Sequence, residues 1–128
     1  MQNYMFVLFP VCFDNWEFVE FIIKNNLIVL DEKKVELNQK EKFELIYTLY
    51  QGESWLGDDS NNWEGVYYKM NSCFDSKINF VKLFYVFANE EEVKKVKKEI
   101  RNFCQCGNHS IHSTDYEEMA KKLKKKYF

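Results

Sequence analysis

Both histidines of the chain fall within one run, Asn108-His109-Ser110-Ile111-His112-Ser113-Thr114-Asp115. An imidazole can exchange a proton or accept a phosphoryl group near neutral pH. A helix N-terminus attracts anions through its free N–H groups and the positive end of its dipole. Ser113 or Thr114 reads as the cap of a last helix from about Tyr116 to Lys126, which would set His112 over that N-terminus. Phosphate chemistry at His112 is the reading this suggests, with Asp115 or Glu118 orienting a ring nitrogen. The plain alternative is a pair of loop histidines beside a threonine that only caps.

Two further constellations carry chemistry. Cys104, Cys106, His109 and His112 are four zinc-type ligands close together in sequence. Zinc accepts thiolate and imidazole in this mixture, but Cys-x-Cys followed at once by His-x-x-His is cramped for a tetrahedron. The other reading makes both cysteines small apolar residues of a strand. The stretch from Gln51 to about Asp75 reads as one long irregular segment, holding Gly52, Gly57 and Gly65 with Trp55 and Trp63. Its glycines permit close backbone approach, its indoles can stack on a ligand or plug a core, and Lys69 is placed to meet a phosphate. Asn71 joins the candidate ligand set. Lys121 to Lys126 make the end basic, which suits a helix C-terminus and a solvated face opposite Met119, Leu123 and Tyr127.

The elements that must position these residues follow from periodicity. Tyr4 to Pro10 reads as a buried first strand. Asp14 with Glu17 forms a capping-box pattern ahead of a helix from Asn15 to about Asn25, with Trp16, Val19 and Ile23 on one face. Leu27 to Leu37 reads as one long strand or a hairpin. Asn38 with Glu41 caps a second helix carrying Phe43, Ile46 and Tyr50. Lys77 to Ala88 reads as a central strand covered on both faces. Asn89 opens the next helix, striped by Val93, Val96, Ile100 and Phe103. A fourth strand has to lie within Phe103 to Ile111. This order contains a split βαβ arrangement, so the expected class is α+β, a ferredoxin-like antiparallel sheet packed with helices. No repeat, linker or low-complexity tract divides residues 1–128, which read as a single domain.

Composition narrows the function. The chain has 128 residues, with 18 basic against 20 acidic side chains and a net charge of −2. Arg101 is the lone arginine. That balance argues against nucleic acid, whose binders usually carry a positive excess with several arginines. No apolar run approaches the roughly 20 residues of a membrane span. Four cysteines without a secretion signal read as reduced thiols, so the expected compartment is the cytoplasm.

The C-terminal third resembles the nucleoside diphosphate kinases, whose signature is Asn-x-x-His-Gly-Ser-Asp ahead of a Glu-rich helix. His109-Ser110-Ile111-His112-Ser113-Thr114-Asp115, followed by Tyr116-Glu117-Glu118, occupies the corresponding place. The resemblance implies a ferredoxin-like core, with His112 at the position of the phosphorylated histidine, Thr114 at the serine and Asp115 at the aspartate. Ile100-Arg101-Asn102-Phe103-Cys104 is similar to the segment that carries the family's phosphate-binding arginine. His109 stands at the family's asparagine, and Phe9-Pro10-Val11 keeps only the proline of its Lys-Pro-Asp.

A second resemblance covers four blocks in order: Glu53-Ser54-Trp55-Leu56-Gly57, Lys69-x-Asn71-x-Cys73-Phe74, Lys98-Glu99-Ile100-Arg101 and Gly107 to Asp115. Together they resemble a bacterial domain of surface-polysaccharide loci. That likeness implies a phosphorylated substrate and a tryptophan loop beside the histidines.

The expected function is therefore a phosphoryl-transfer-related, kinase-like domain that binds a nucleotide or sugar phosphate. His112 and Asp115 are its candidate catalytic residues, and Arg101, His109, Thr114, Lys69, Trp55 and Asn71 its candidate binding residues. Mg²⁺ would arrive with a nucleotide, no permanently bound cofactor is expected, and a homo-oligomer is. A catalytically silent nucleotide-sensing or interaction module is the alternative, and a zinc-stabilised module through Cys104, Cys106, His109 and His112 the second.

Overall fold

Side chains alternate sharply along β1 (Gln2–Leu8), and that alternation organises the whole molecule. Tyr4, Phe6 and Leu8 enter one apolar cluster, while Met5, Val7 and the following Phe9 enter a second. Successive residues of a strand face opposite sides of a sheet, so a strand buried on both faces must feed two cores. The computed structural model describes residues 1–74, 77–105 and 107–128.

β1 pairs antiparallel with β3 (Phe80–Ala88) on one side and β4 (Ile111–Ser113) on the other, and β2 (Ile28–Glu36) pairs antiparallel with β3. The order β2-β3-β1-β4 is the ferredoxin-like arrangement expected from the split βαβ pattern. On the first face, α1 (Trp16–Asn26) and α4 (Glu90–Cys104) supply Val19, Ile22 and Ile23 with Val93, Val96 and Ile100. On the second, α2 (Gln39–Leu49), α3 (Glu64–Cys73) and α5 (Glu117–Tyr127) supply Leu45, Ile46, Val66, Met70, Ala120 and Leu123. No described helix is long and apolar enough to cross a membrane.

Local signals act where expected at two helix starts. Asn38 and Glu41 form a reciprocal capping box on α2, and Asn89 and Glu92 do the same on α4. Each satisfies two backbone donors that a helix start leaves open. The segment from Leu27 to Leu37 resolves into one strand, with a register break between Val29 and Asp31 that leaves Leu30 as the extra residue of a bulge.

Several expectations are corrected. Asp14 and Glu17 make no box, because Pro10–Asn15 is wound as a 3-10 segment and α1 starts at Trp16, whose Nε1 donates to Phe9 O at 3.1 Å. The segment after Gln51 is not one long loop. Two short turns lead into α3, whose Val66, Lys69, Met70 and Cys73 are buried at helical spacing. Trp63 precedes that helix in the left-handed conformation without a capping side chain, so the usual start signal is missing. Asp75, the expected end of the loop, lies outside the described residues. Phe103 is exposed rather than buried, stacked on Phe18 with ring centroids 4.0 Å apart.

The fourth strand also lies later than expected, because α4 continues to Cys104. Neither Ser113 nor Thr114 caps α5. Ser113 belongs to β4, and α5 is preceded by Tyr116, which makes no side-chain cap. Thr114 instead clamps β4 to β1: its N–H donates to Met5 O at 3.1 Å and its Oγ1 accepts from Met5 N at 3.0 Å. Thr114→Val leaves the buried Met5 N–H without an acceptor, a loss of about 1–3 kcal/mol. Urea denaturation should show a lower midpoint with an unchanged slope.

Candidate functional site

β4 is a short edge strand, and its three residues alternate. Ile111 packs into the first core, so His112 must face the other way, out over the sheet edge. There it lines a cleft of about 730 Å³. The end of α2 and the turn Ser54–Leu56 form one wall with Tyr50, Glu53 and Trp55. Lys69 of α3, Lys97 and Arg101 of α4, and the segment from Thr114 to Tyr116 complete it. A pocket of this size is ample for a small organic ligand.

The centre of the cleft is a ladder of rings and cations. The Tyr50 ring lies 4.6 Å from the His112 ring and 5.2 Å from that of Trp55. Lys69 Nζ stands 5.1 Å over Tyr50, donates to Asn108 O at 2.9 Å and sits 2.9 Å from His109 Nδ1. An ammonium has only protons to give, so Nδ1 of His109 is the acceptor and Nε2 carries that ring's hydrogen. Arg101 Nη2 makes a long contact of 3.5 Å to Ile111 O, while its Nε is buried without a protein partner among the described residues.

The charges in this space are mostly of one sign. Burial first, then Lys97, Lys69 and Arg101, pushes the His112 imidazolium down to a pKa of about 3. Burial and Lys69 lower His109 as well. The ammonium groups yield in the same direction: burial and Arg101 lower Lys69, despite the opposing Cys73, and burial, Arg101 and Lys94 lower Lys97, despite Asp115. In each of these groups removal from water disfavours the charged form first, and the neighbouring cations add to it. At neutral pH His112 is an uncharged imidazole inside a ring of cations.

Among the candidate residues, the structure brings His112, His109, Arg101, Lys69, Thr114, Trp55 and Asp115 to the same cleft. Asp115 is exposed on the rim, and its charge acts on Lys97 and Tyr4; only cations act on His112. Thr114 is 2 % exposed, with its oxygen already engaged by Met5 and its hydroxyl proton free to donate. Asn71 is exposed on α3 and does not line the cleft. Glu118 is on the first turn of α5.

The proposed zinc ligands are separated. Cys104 is buried in the first core and interacts with Cys12, whereas His109 and His112 line the cleft. Cys106 lies outside the described residues. Among the described residues, no three His, Cys, Asp or Glu side chains converge as a metal site.

Two participants were missed in the sequence. Tyr50 ends α2 and reads as a core stripe residue, though its ring is the wall between Trp55 and His112. Lys97 has no role in the sequence reading. Its signal was the spacing to Arg101, four residues on and therefore on the same helical face. Gly65 has a positional role too. A Cβ there would come within 1.6 Å of Trp55 O, so only glycine lets the Trp55 turn seat against α3.

No protein-family model and no curated protein matches the sequence. Among solved structures, the nucleoside diphosphate kinase of Aquifex aeolicus is similar in fold, with a TM-score of 0.54. The two chains are 14% identical, and the match covers 94% of this chain and 90% of that one. At that identity the likeness shows the fold, a nucleoside diphosphate kinase-like α+β sandwich.

Gly65→Ala should displace the Trp55 turn at a cost of about 1–3 kcal/mol, the usual range for forced overpacking. A lowered urea midpoint with altered tryptophan emission is the expected result. The histidines set a pH dependence. In the unfolded chain both titrate near the ordinary value of about 6.5, whereas the folded chain holds them lower. As pH falls below that value the unfolded state binds more protons, so stability drops progressively towards pH 3. Melting temperature without ligand should fall from pH 7 to 4, and His112→Gln should flatten the fall. A profile that the substitution leaves unaltered would contradict a neutral, half-buried His112.

Proposed function

We propose that the cleft binds the phosphate of a small molecule, a nucleotide or a sugar phosphate, and that His112 is its chemically active group. The observation that carries this reading is the convergence of Lys69, Lys97 and Arg101 on a neutral imidazole, with Asp115 and Glu53 as the carboxylates in the lining. A bound phosphate would make charge-assisted hydrogen bonds with the ammonium and guanidinium groups. Trp55, 43% exposed beside Tyr50, offers a flat apolar face to a base or sugar.

The chemistry follows from the protonation state. A neutral imidazole has a free lone pair, so a ring nitrogen of His112 can attack a phosphorus. The N–P bond forms as the bond to the leaving oxygen breaks, and the electron pair departs with that oxygen. The same three cations stabilise the charge that builds on the phosphoryl oxygens. The fold likeness to a nucleoside diphosphate kinase is consistent with this reading and adds no residue to it. Converging protein carboxylates are lacking among the described residues, so any Mg²⁺ would be held chiefly by the phosphates of the incoming nucleotide. A sugar phosphate from surface-polysaccharide assembly and a homo-oligomeric state remain parts of this proposal that rest on sequence resemblance alone.

A second reading, binding without turnover, is favoured by one specific feature. Lys69 is already engaged by Asn108 O and His109 Nδ1, which suits a fixed receptor. The two separate experimentally. Incubation with γ-labelled nucleoside triphosphate and Mg²⁺ should give acid-labile, base-stable label on the wild type and none on His112→Ala. Binding seen by calorimetry without label, and undiminished in His112→Ala, would establish the receptor reading. Absence of both label and binding would sink the phosphate site.

A further inference from the structure

Two cysteines meet in the first core. Cys12 lies in the 3-10 segment Pro10–Asn15 that follows β1, and Cys104 is the last residue of α4. About 90 positions separate them in sequence, yet their side chains are in hydrogen-bond contact, Cys12 donating to Cys104. That bond holds the Cys104 thiol below its ordinary value, against the opposing pull of burial. The thiolate is the reactive form of cysteine. Cys73, by contrast, is enclosed in the second core, where burial pushes its thiol up to about 12.

Both positions can give. Cys12 occupies the kink of its segment, with φ −108° and ψ 22° outside the helical range. Cys104 closes α4, and Gln105 after it turns into the left-handed conformation. A sulfur–sulfur bond of about 2 Å requires the two side chains to draw closer. The ends of elements absorb such a shift more readily than the middle of a strand.

We propose that Cys12 and Cys104 are a modification site, a thiol pair that a hydroperoxide converts reversibly into a disulfide tethering the end of α4 to the segment after β1. Cys104 is 7 % exposed against 2 % for Cys12, so it meets the peroxide first. Its sulfur bonds to one peroxide oxygen as the O–O bond breaks, and the departing hydroxide leaves as water with the thiol proton. The Cys12 sulfur then attacks the resulting sulfenic acid, the S–O bond breaks, and a second water carries away the Cys12 proton. The two thiols lose two electrons and one peroxide becomes two waters; a dithiol reverses the bond by exchange. The tether bears on the cleft because Lys97 and Arg101 reach it from this same helix, in the turns just before Cys104.

The test uses the full chain, reduced and then treated with excess hydrogen peroxide. Peptide mapping after alkylation, without reductant, should find Cys12 linked to Cys104, the link lost with dithiothreitol, and Cys73 unlinked. Closing so long a loop should raise the melting temperature by about 5–15 °C. Amide exchange should slow across the last turn of α4 and stay unchanged in α5. Cys106→Ser should keep the link and both effects. Cys12→Ala should lose all three, its folding checked by the melting temperature of the reduced form; if it fails to fold, the wild-type map decides by itself.

A link from Cys104 to Cys106, a link between two chains, or a sulfenic acid that persists on Cys104 beside an intact Cys12 overturns the proposal. So does the absence of any linked peptide. A link that changes neither melting temperature nor exchange also overturns it, because the bond then forms in an unfolded minority and tethers nothing in the fold.

Discussion

The pairing of three residues, Ile111 to Ser113, against the end of β1 is the constraint on which the site depends. The register is held from both ends. Thr114 exchanges two hydrogen bonds with Met5, and Phe9 N–H donates to Ser110 O at 3.2 Å. A one-residue slip would turn every side chain of the strand to the opposite face. Ile111 would then leave the core and His112 would enter it. Few contacts hold so short a strand, which is why a buried threonine is used where an ordinary residue would suffice in a longer ladder.

From that edge the rest of the cleft is assembled by elements remote in sequence. α3 brings Lys69 from below, α4 brings Lys97 and Arg101 around the strand, and the end of α2 brings Tyr50 against the His112 ring. Each contributes a group that desolvation alone would make unfavourable. Lys69 is 5 % exposed and held by a carbonyl and an imidazole rather than a carboxylate. Cations gathered in this way raise the free energy of the empty site, and an anion recovers what they lose. The cost is carried by two apolar cores packed on both faces of one sheet.

The other edge shows the opposite treatment. β2 ends the sheet with Asp31, Glu32, Lys33 and Lys34, and its two carboxylates here are paired: Glu32 with Lys24 at 3.1 Å and Asp31 with Lys124 at 2.8 Å. Lys82 of β3 is bracketed by Glu20 and Glu32. Charges of both signs along an edge strand discourage another chain from adding to it. Paired carboxylates at one edge and gathered cations at the other set the two edges of the sheet apart.

Much of this was legible in the residues alone. The split βαβ order, the central β3 and the boxes at Asn38 and Asn89 all follow from short-range pattern, because capping and periodicity are local physics. α3 was not legible, since Trp63 gives no capping signal and Gly65 mimics a loop residue while serving a close backbone approach. Nor was the place of His112. Sequence set it over a helix N-terminus, whereas the long-range pairing with β1 makes it a strand residue facing a cleft. Which thiol meets which imidazole, and whether a lysine is solvated or walled in, are likewise decided by contacts between distant segments. Residue order determined the chemistry available to this protein. Only the packing of α2, α3 and α4 around one strand edge decided that Lys69, Lys97, Arg101 and a neutral imidazole would share a single space.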